Sequence, residues 1–308
     1  MYRSAIGVAL AFILTNCADS GPRLFDAPST RDTTARAEAS VRDTIVSGDA
    51  PARDSRRDGP SPDAAGACSG PKPGPSTTGV PAGTALSPSG SIKVTQNGAV
   101  VELLDIKGTV TVLANNVTIR KVRITTGDYY PIRYFDNNNT GLVVEDSEIV
   151  GTSGNATSAI AFANYTARRL NIHGSSDGLK ADSNVLVEDC WIHDLSNGAG
   201  EHNDAVQSTG GKGVTIRHSV LEGASNAAVQ TGDENGQTED LTIACSWLSG
   251  GGYTLNIRGA GATRPKNTKV INNRFGHDAQ YGPWVIDDPA PTVTGNVYDD
   301  NNQPIPYP

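Results

Sequence analysis

Seven segments between residues 130 and 288 repeat one short pattern. They are YPIRYFD (130–136), SAIAFAN (158–164), DGLKADS (177–183), DAVQSTG (204–210), AAVQTGD (227–233), YTLNIRG (253–259) and GPWVIDD (282–288). Their third residues, Ile132, Ile160, Leu179, Val206, Val229, Leu255 and Trp284, stand 28, 19, 27, 23, 26 and 29 residues apart. A second pattern runs between them, as NVTIRKVRI (116–124), NVLVEDCWI (184–192), GVTIRHSVL (213–221) and DLTIACSWL (240–248). Apolar and polar residues alternate within each piece, which predicts strands with one buried face. Asn, Gly, Asp and Ser fill the joints, as turns require. Short strands at this irregular period, with no helical stretch between them, describe stacked turns of parallel β-structure, each burying its inward row on its neighbours. The variable period argues against a tight hexapeptide solenoid. A propeller would need hairpin signals and repeats of about 40 residues or more. A β-sandwich stays open as the alternative.

What precedes the ladder is different in kind. The opening MYRSAIGVALAFILTNC has Arg3 before an apolar run from Ala5 to Leu14, too short for a membrane span and suited to an export signal. From Ala18 to Pro88 the chain is dense in Pro, Ser, Thr, Asp and Arg, a composition that cannot bury enough apolar surface to offset the entropy of ordering it. The expected organisation is therefore an export signal over 1–17, a disordered linker over 18–88 and an all-β domain over 89–308. The nine basic and nine acidic residues of 1–89 cancel, so the whole net charge of −8 belongs to residues 90–308. With no basic stripe, nucleic acid is not an expected partner.

The motif ladder resembles the pectate-lyase-like superfamily of right-handed parallel β-helices, over roughly residues 90–300. That superfamily includes polysaccharide lyases, polygalacturonases, sugar epimerases, phage depolymerases and non-catalytic surface proteins. Leu14-Thr15-Asn16-Cys17 resembles the lipobox of bacterial lipoproteins, in which the cysteine, here Cys17, becomes the lipidated first residue. Plain secretion is the other outcome. The resemblances imply an exported monomer, held to the membrane by a lipid anchor alone and acting on a polysaccharide.

Successive turns of such a coil lie about 4.8 Å apart, so equivalent positions form columns. The position after each buried apolar residue reads Arg133, Ala161, Lys180, Gln207, Gln230, Asn256 and Val285. Two further on stand Phe135, Ala163, Asp182, Thr209, Gly232, Arg258 and Asp287. Two before the apolar residue stand Tyr130, Ser158, Asp177, Asp204, Ala227, Tyr253 and Gly282. The middle turns are thus expected to place Asp177, Lys180, Asp182, Asp204, Gln207, Gln230, Asn256 and Arg258 on one exposed sheet. Polar ladders of this kind can serve only to satisfy one another. However, Asp177 and Asp204 share a column on neighbouring turns, and stacked carboxylates raise one another's pKa unless a cation lies between them. Lys180 or a metal ion would supply that charge. His202 precedes Asp204 on the loop DLSNGAGEHND, which reads as the lip of a groove with Asp204 as its floor.

Three chemistries of the superfamily can be set against these residues. Polygalacturonases carry NTDG, then DD, GHG and RIK. SSDG (175–178) and NDAV (203–206) stand at comparable steps and would make Asp177 and Asp204 the two carboxylates of hydrolysis, but SNAAVQTG replaces GHG and no RIK follows. A β-eliminating lyase must neutralise the uronate carboxylate, remove the C5 proton and protonate the leaving oxygen. Its base is often Lys or Arg and its acids often hold calcium. Lys180 or His202 would be that base, Asp177, Asp182 and Asp204 the calcium ligands, and Arg258 a bidentate partner of the substrate carboxylate. Alginate C5-epimerases carry DPHD, of which EHND shares His and Asp at another spacing. Gln207, Gln230, Tyr253, Asn256 and Arg258 are the candidate substrate-binding residues. Elimination is placed ahead of hydrolysis, with a non-catalytic glycan-binding surface protein as the alternative of a different class. Cys190 and Cys245, two turns and about 9.6 Å apart, are poorly placed for a disulfide. A bridge from Cys68 to one of them stays open, and the odd count of three after Cys17 leaves at least one free thiol or an intermolecular bond.

Overall fold

The computed structural model describes residues 68–134, 139–152, 157–196 and 202–307. Residues 1–67, on which the expected export signal, Cys17 and most of the expected linker fall, lie outside the described residues. The described chain winds as a parallel β-helix. Its strands form three parallel sheets of 10, 9 and 9 strands, and every third strand in sequence joins the same sheet. Each coil therefore contributes one strand to each sheet. Among the described residues the single helical element is a 3-10 turn at Gly261–Thr263.

The core follows from the alternation. Ile132, Ile160, Leu179 and Leu255 are fully buried, and Val206 and Val229 nearly so. They lie in register from strand to strand down one sheet. Each such side chain withdrawn from water contributes roughly 1.5–3 kcal/mol. Trp284, in the last coil of that sheet, is only partly buried and packs on the core edge.

Two polar columns fix the register around this core. On the outer face of the third sheet Glu102, Arg120, Glu145, Arg168, Glu188 and Arg217 pair strand by strand, alternating in sign through six coils. Arg120 meets Glu102 at 2.7 Å and Arg168 meets Glu188 at 2.9 Å. A slip of one coil would set like charges side by side, so the alternation selects one stacking more than it adds stability. Inside the next corner, Ser147, Cys190, Ser219, Ser246, Asn273 and Asn296 are buried. The backbone N–H of Cys190 donates to Ser219 Oγ, that of Ser219 to Ser246 Oγ, and that of Ser246 to Asn273 Oδ1. Each closes a backbone donor that the corner would otherwise leave unpaired.

Residues 68–88, assigned to the linker by composition, are ordered on the coil. Cys68 is disulfide-bonded to Cys245, Gly79 N–H donates to Arg169 O, and Ser87–Ser89 pairs in parallel with Leu104–Ile106. The strap thus runs back from a late coil to the first. Gly79 (φ +79°) lies so close to Asn171 that an added Cβ would stand 3.1 Å from Asn171 Cβ. Cys190 keeps a free, buried thiol, whose pKa burial pushes up to about 12.

Candidate functional site

The expected columns hold among the described residues, and Phe135 lies outside them. Lys180 pairs with Gln207, Gln207 with Gln230, Gln230 with Asn256, and Asn256 with Val285. Arg133 and Ala161 pair at the other end. Asp177 lies directly beside Asp204, whose backbone N–H donates to Asp177 Oδ1 at 2.9 Å.

Exposure is where the sequence reading needs correction. Asp177 is 7% exposed and Asp204 0%, so neither stands open on the sheet. The cause is a local departure from alternation. Gly178 and Leu179 are both buried, as are Ala205 and Val206, although neighbours in a regular strand face opposite ways. A Cβ at Gly178 would stand 2.5 Å from Ile192 Cγ2 and 2.3 Å from Ala205 O, so position 178 faces inward. Asp177 thereby comes round to the side of Lys180, three residues on, and Lys180 Nζ donates to Asp177 Oδ2 at 2.5 Å. The next coil repeats the arrangement: Gln207 Nε2 donates to Asp204 Oδ2 at 3.1 Å.

Lys180 also donates to Gln207 Oε1, so the ammonium bridges two coils. Asn226, which the sequence reading did not single out, donates to Asp204 Oδ1 at 2.8 Å and to Gln230 Oε1. The Gln230 amide faces the same carboxyl. With its nitrogen turned toward Asp204 it donates to the two oxygens at 3.0 and 3.3 Å; with its oxygen there it accepts the proton of the neutral acid. Burial, and then the neighbouring Asp177, push the pKa of Asp204 up to about 8, against the pull of Asn226, Lys180 and Gln207. Asp204 is thus a neutral acid at neutral pH beneath a surface row of Lys180, Gln207 and Gln230, all half-buried. It is not the open floor expected.

The other candidates are distributed as follows. Asp182 accepts from Thr209 N–H at 2.8 Å and from Thr209 Oγ1 at 3.1 Å, and burial raises its pKa. Asp177, Asp182 and Asp204 do not converge: no group of three or more His, Cys, Asp or Glu fit for a metal exists among the described residues. Calcium needs six to eight oxygen ligands, whereas these oxygens are taken by Lys180, by amides, by Thr209 and by backbone N–H groups. The donor set does not fit a calcium ion. Arg258 is exposed and donates to Asn256 Oδ1 at 2.9 Å, closing the far end of the row. Tyr253 is half-buried, with its ring 5.6 Å from that of Tyr281.

His202 is exposed, and Glu201 lies outside the described residues. Their neighbour Asn203 has a clear structural task. It is fully buried, accepts from Ser225 N–H at 2.6 Å and donates to Ser196 O at 3.2 Å, tying the start of its strand to the next coil. Trp191, Trp247, His173 and His193 lie on a different sheet from the polar row. Trp191 donates to Glu222 and stacks on His193, His173 stacks on His193, and Trp247 lies between Lys72 and His218.

Comparison with models of protein families, with curated proteins and with solved structures finds no match to this chain. The class of the protein therefore rests on its fold, a parallel β-helix bearing a polar row across the middle coils of one sheet.

Proposed function

We propose that the protein is exported and cleaves a uronate-containing extracellular polysaccharide by β-elimination. The observation that carries this reading is Lys180, held at the surface between Asp177 and Gln207 above the neutral acid Asp204. A uronate carboxylate laid on this row meets one cation and the amides of Gln207 and Gln230. No unpaired anion opposes it. Neutralising that carboxylate acidifies the C5 proton, the prerequisite of elimination. His202, exposed at the entrance of the Asp204 strand, takes this proton. The C5–H electron pair then forms the C4=C5 double bond, the C4–O bond breaks, and the departing oxygen takes a proton from solvent. Arg258 offers a bidentate contact to a second carboxylate farther along the chain. The signal-like residues 1–17 and Cys17 would send the protein out of the cell and anchor it there.

A second reading is favoured by the burial of Asp204. Its oxygens are engaged by Gln207 and Asn226, so the acids would only brace a binding row, and the protein would hold the polysaccharide without cutting it. Incubation with a panel of polyuronides separates these outcomes. New ends that absorb in the ultraviolet support elimination, and new reducing ends without that absorbance mean hydrolysis. Retention of the polymer with no new ends means binding alone. Neither retention nor cleavage overturns both readings.

A further inference from the structure

Two tyrosines that flank the polar row, one entering the third strand of its sheet (Ile132–Tyr134) and the other the ninth (Gly282–Ile286), are set alike. Among the described residues the exposed large apolar side chains are Val100, Leu103, Leu113, Tyr129 and Tyr281, so the two aromatic ones are Tyr129, 51% exposed, and Tyr281, 65% exposed. Each stands three residues before the apolar anchor of its coil, Ile132 or Trp284, and thus at the entrance to the strand. The backbone confirms the equivalence. Thr157 N–H donates to Tyr129 O at one end, while at the other Gly252 N–H donates to Asn226 O and Tyr281 N–H to Gly252 O. Each exposed ring is also propped by a second tyrosine. Tyr130 meets Tyr129 edge-on at 4.6 Å, and Tyr253 meets Tyr281 at 5.6 Å. Between them the same column holds Thr157, Ser176, Asn203, Asn226 and Gly252, all small or polar residues.

Among the described residues no coil between Tyr129 and Tyr281 leaves a large ring in water at this position. Each of the two rings is held by its neighbour so that little freedom is lost when a ligand covers it. Tyrosine is suited to such a surface, with an apolar face for the C–H side of a sugar ring and a hydroxyl for its edge.

We propose that Tyr129 and Tyr281 are the terminal platforms of one extended glycan-binding row that runs along the helix axis over the polar row. This rests on the uronate-polysaccharide reading above and adds to it the length and the mode of the ligand. The platforms are six coil steps apart, about 29 Å, a span for an internal stretch of polymer and too long for a mono- or disaccharide. The protein then grips its substrate in mid-chain and would be endo-acting where it cuts.

The test is affinity for a size series of oligouronides, from dimer to polymer, using the wild-type chain, Tyr129→Ala, Tyr281→Ala and the double variant. Circular dichroism and thermal unfolding check each fold. Wild-type affinity should climb with ligand length and level off once both platforms are spanned. Each single variant should lose roughly three- to tenfold on long ligands only, as expected of one aromatic contact, and the double variant the product of the two losses. Variants that bind long ligands as well as the wild type overturn the platforms and leave the uronate reading standing. Equal losses on the dimer and on the polymer overturn the end placement. A wild-type chain that binds neutral oligosaccharides through these tyrosines, but no polyuronide, keeps the platforms and overturns the uronate reading. Binding to no glycan overturns both.

Discussion

Replacing Asp204 by Asn tests the electrostatics of the site without touching its shape. The amide is isosteric with the neutral acid and keeps a group facing Gln207, Asn226 and Gln230. A carboxyl moved from its ordinary 3.8 to about 8 by burial and by Asp177 carries a difference of about 6 kcal/mol between its protonation states, at about 1.4 kcal/mol per decade. The folded-state value is the raised one. The stabilising contribution of the protonated form is therefore fully present below 3.8 and is lost as pH rises through about 8, because the folded state binds a proton that the unfolded chain has released. Across that window the wild type should lose stability by up to about 1.4 kcal/mol per pH unit from this one group. Asp204→Asn should flatten the slope and be the more stable protein at the alkaline end. Urea unfolding of both proteins at a series of pH values measures the difference directly, since its change with pH cancels every group the two share. Parallel profiles would mean that Asp204 is ionised in the fold and that the neutral-acid description of the site is wrong.

Lys180→Met removes the cation that joins Asp177 to Gln207; it should abolish polyuronide cleavage and weaken retention on a polyuronide column, and unchanged turnover would displace the site. Gly178→Ala drives a methyl against Ala205 O and Ile192, contacts that cannot yield without moving backbone, and should cost about 3 kcal/mol in chemical denaturation. Cys190→Ser places a hydroxyl where Ser147, Ser219 and Ser246 already bond the carbonyl two residues back, so unfolding should shift by no more than about 1 kcal/mol. The Cys190 thiol itself, buried and with its pKa pushed up to about 12, should resist alkylation in the native protein and react fully once it is unfolded.

The register of the sheet was readable from the sequence because each coil repeats the same alternation, and one apolar anchor per coil aligns everything around it. Lys180, Gln207, Gln230 and Asn256 fall into line for that reason alone. The depth of Asp177 and Asp204 was not readable from strict alternation. It depends on a second inward residue before each anchor, and the trace of this is the small residue found there: Ala159, Gly178, Ala205, Ala228 and Thr254. Asn226 also left a trace, since it occupies the place of Asn203 one coil later. The failure of three acids to share a metal had no such signal, because it turns on side-chain hydrogen bonds to Lys180 and Thr209. The choice of Cys245 over Cys190 for the bridge lay in their columns. Cys190 falls in line with Ser219 and Ser246 on the inside of the corner, whereas Cys245 aligns with Asp189 and His218 one position earlier.

The bridge between Cys68 and Cys245 also decides how the solenoid bears mechanical load. A pull on the chain ahead of Cys68 does not arrive at the first coil, where an edge strand could be peeled away one bond at a time. It enters through the disulfide at a late coil, where the backbone is already bonded to strands above and below. There the force acts as shear on many bonds at once. Cutting that one covalent link would move the point of attack to the strap and then to the strand Ser87–Ser89, turning a riveted joint into a zipper.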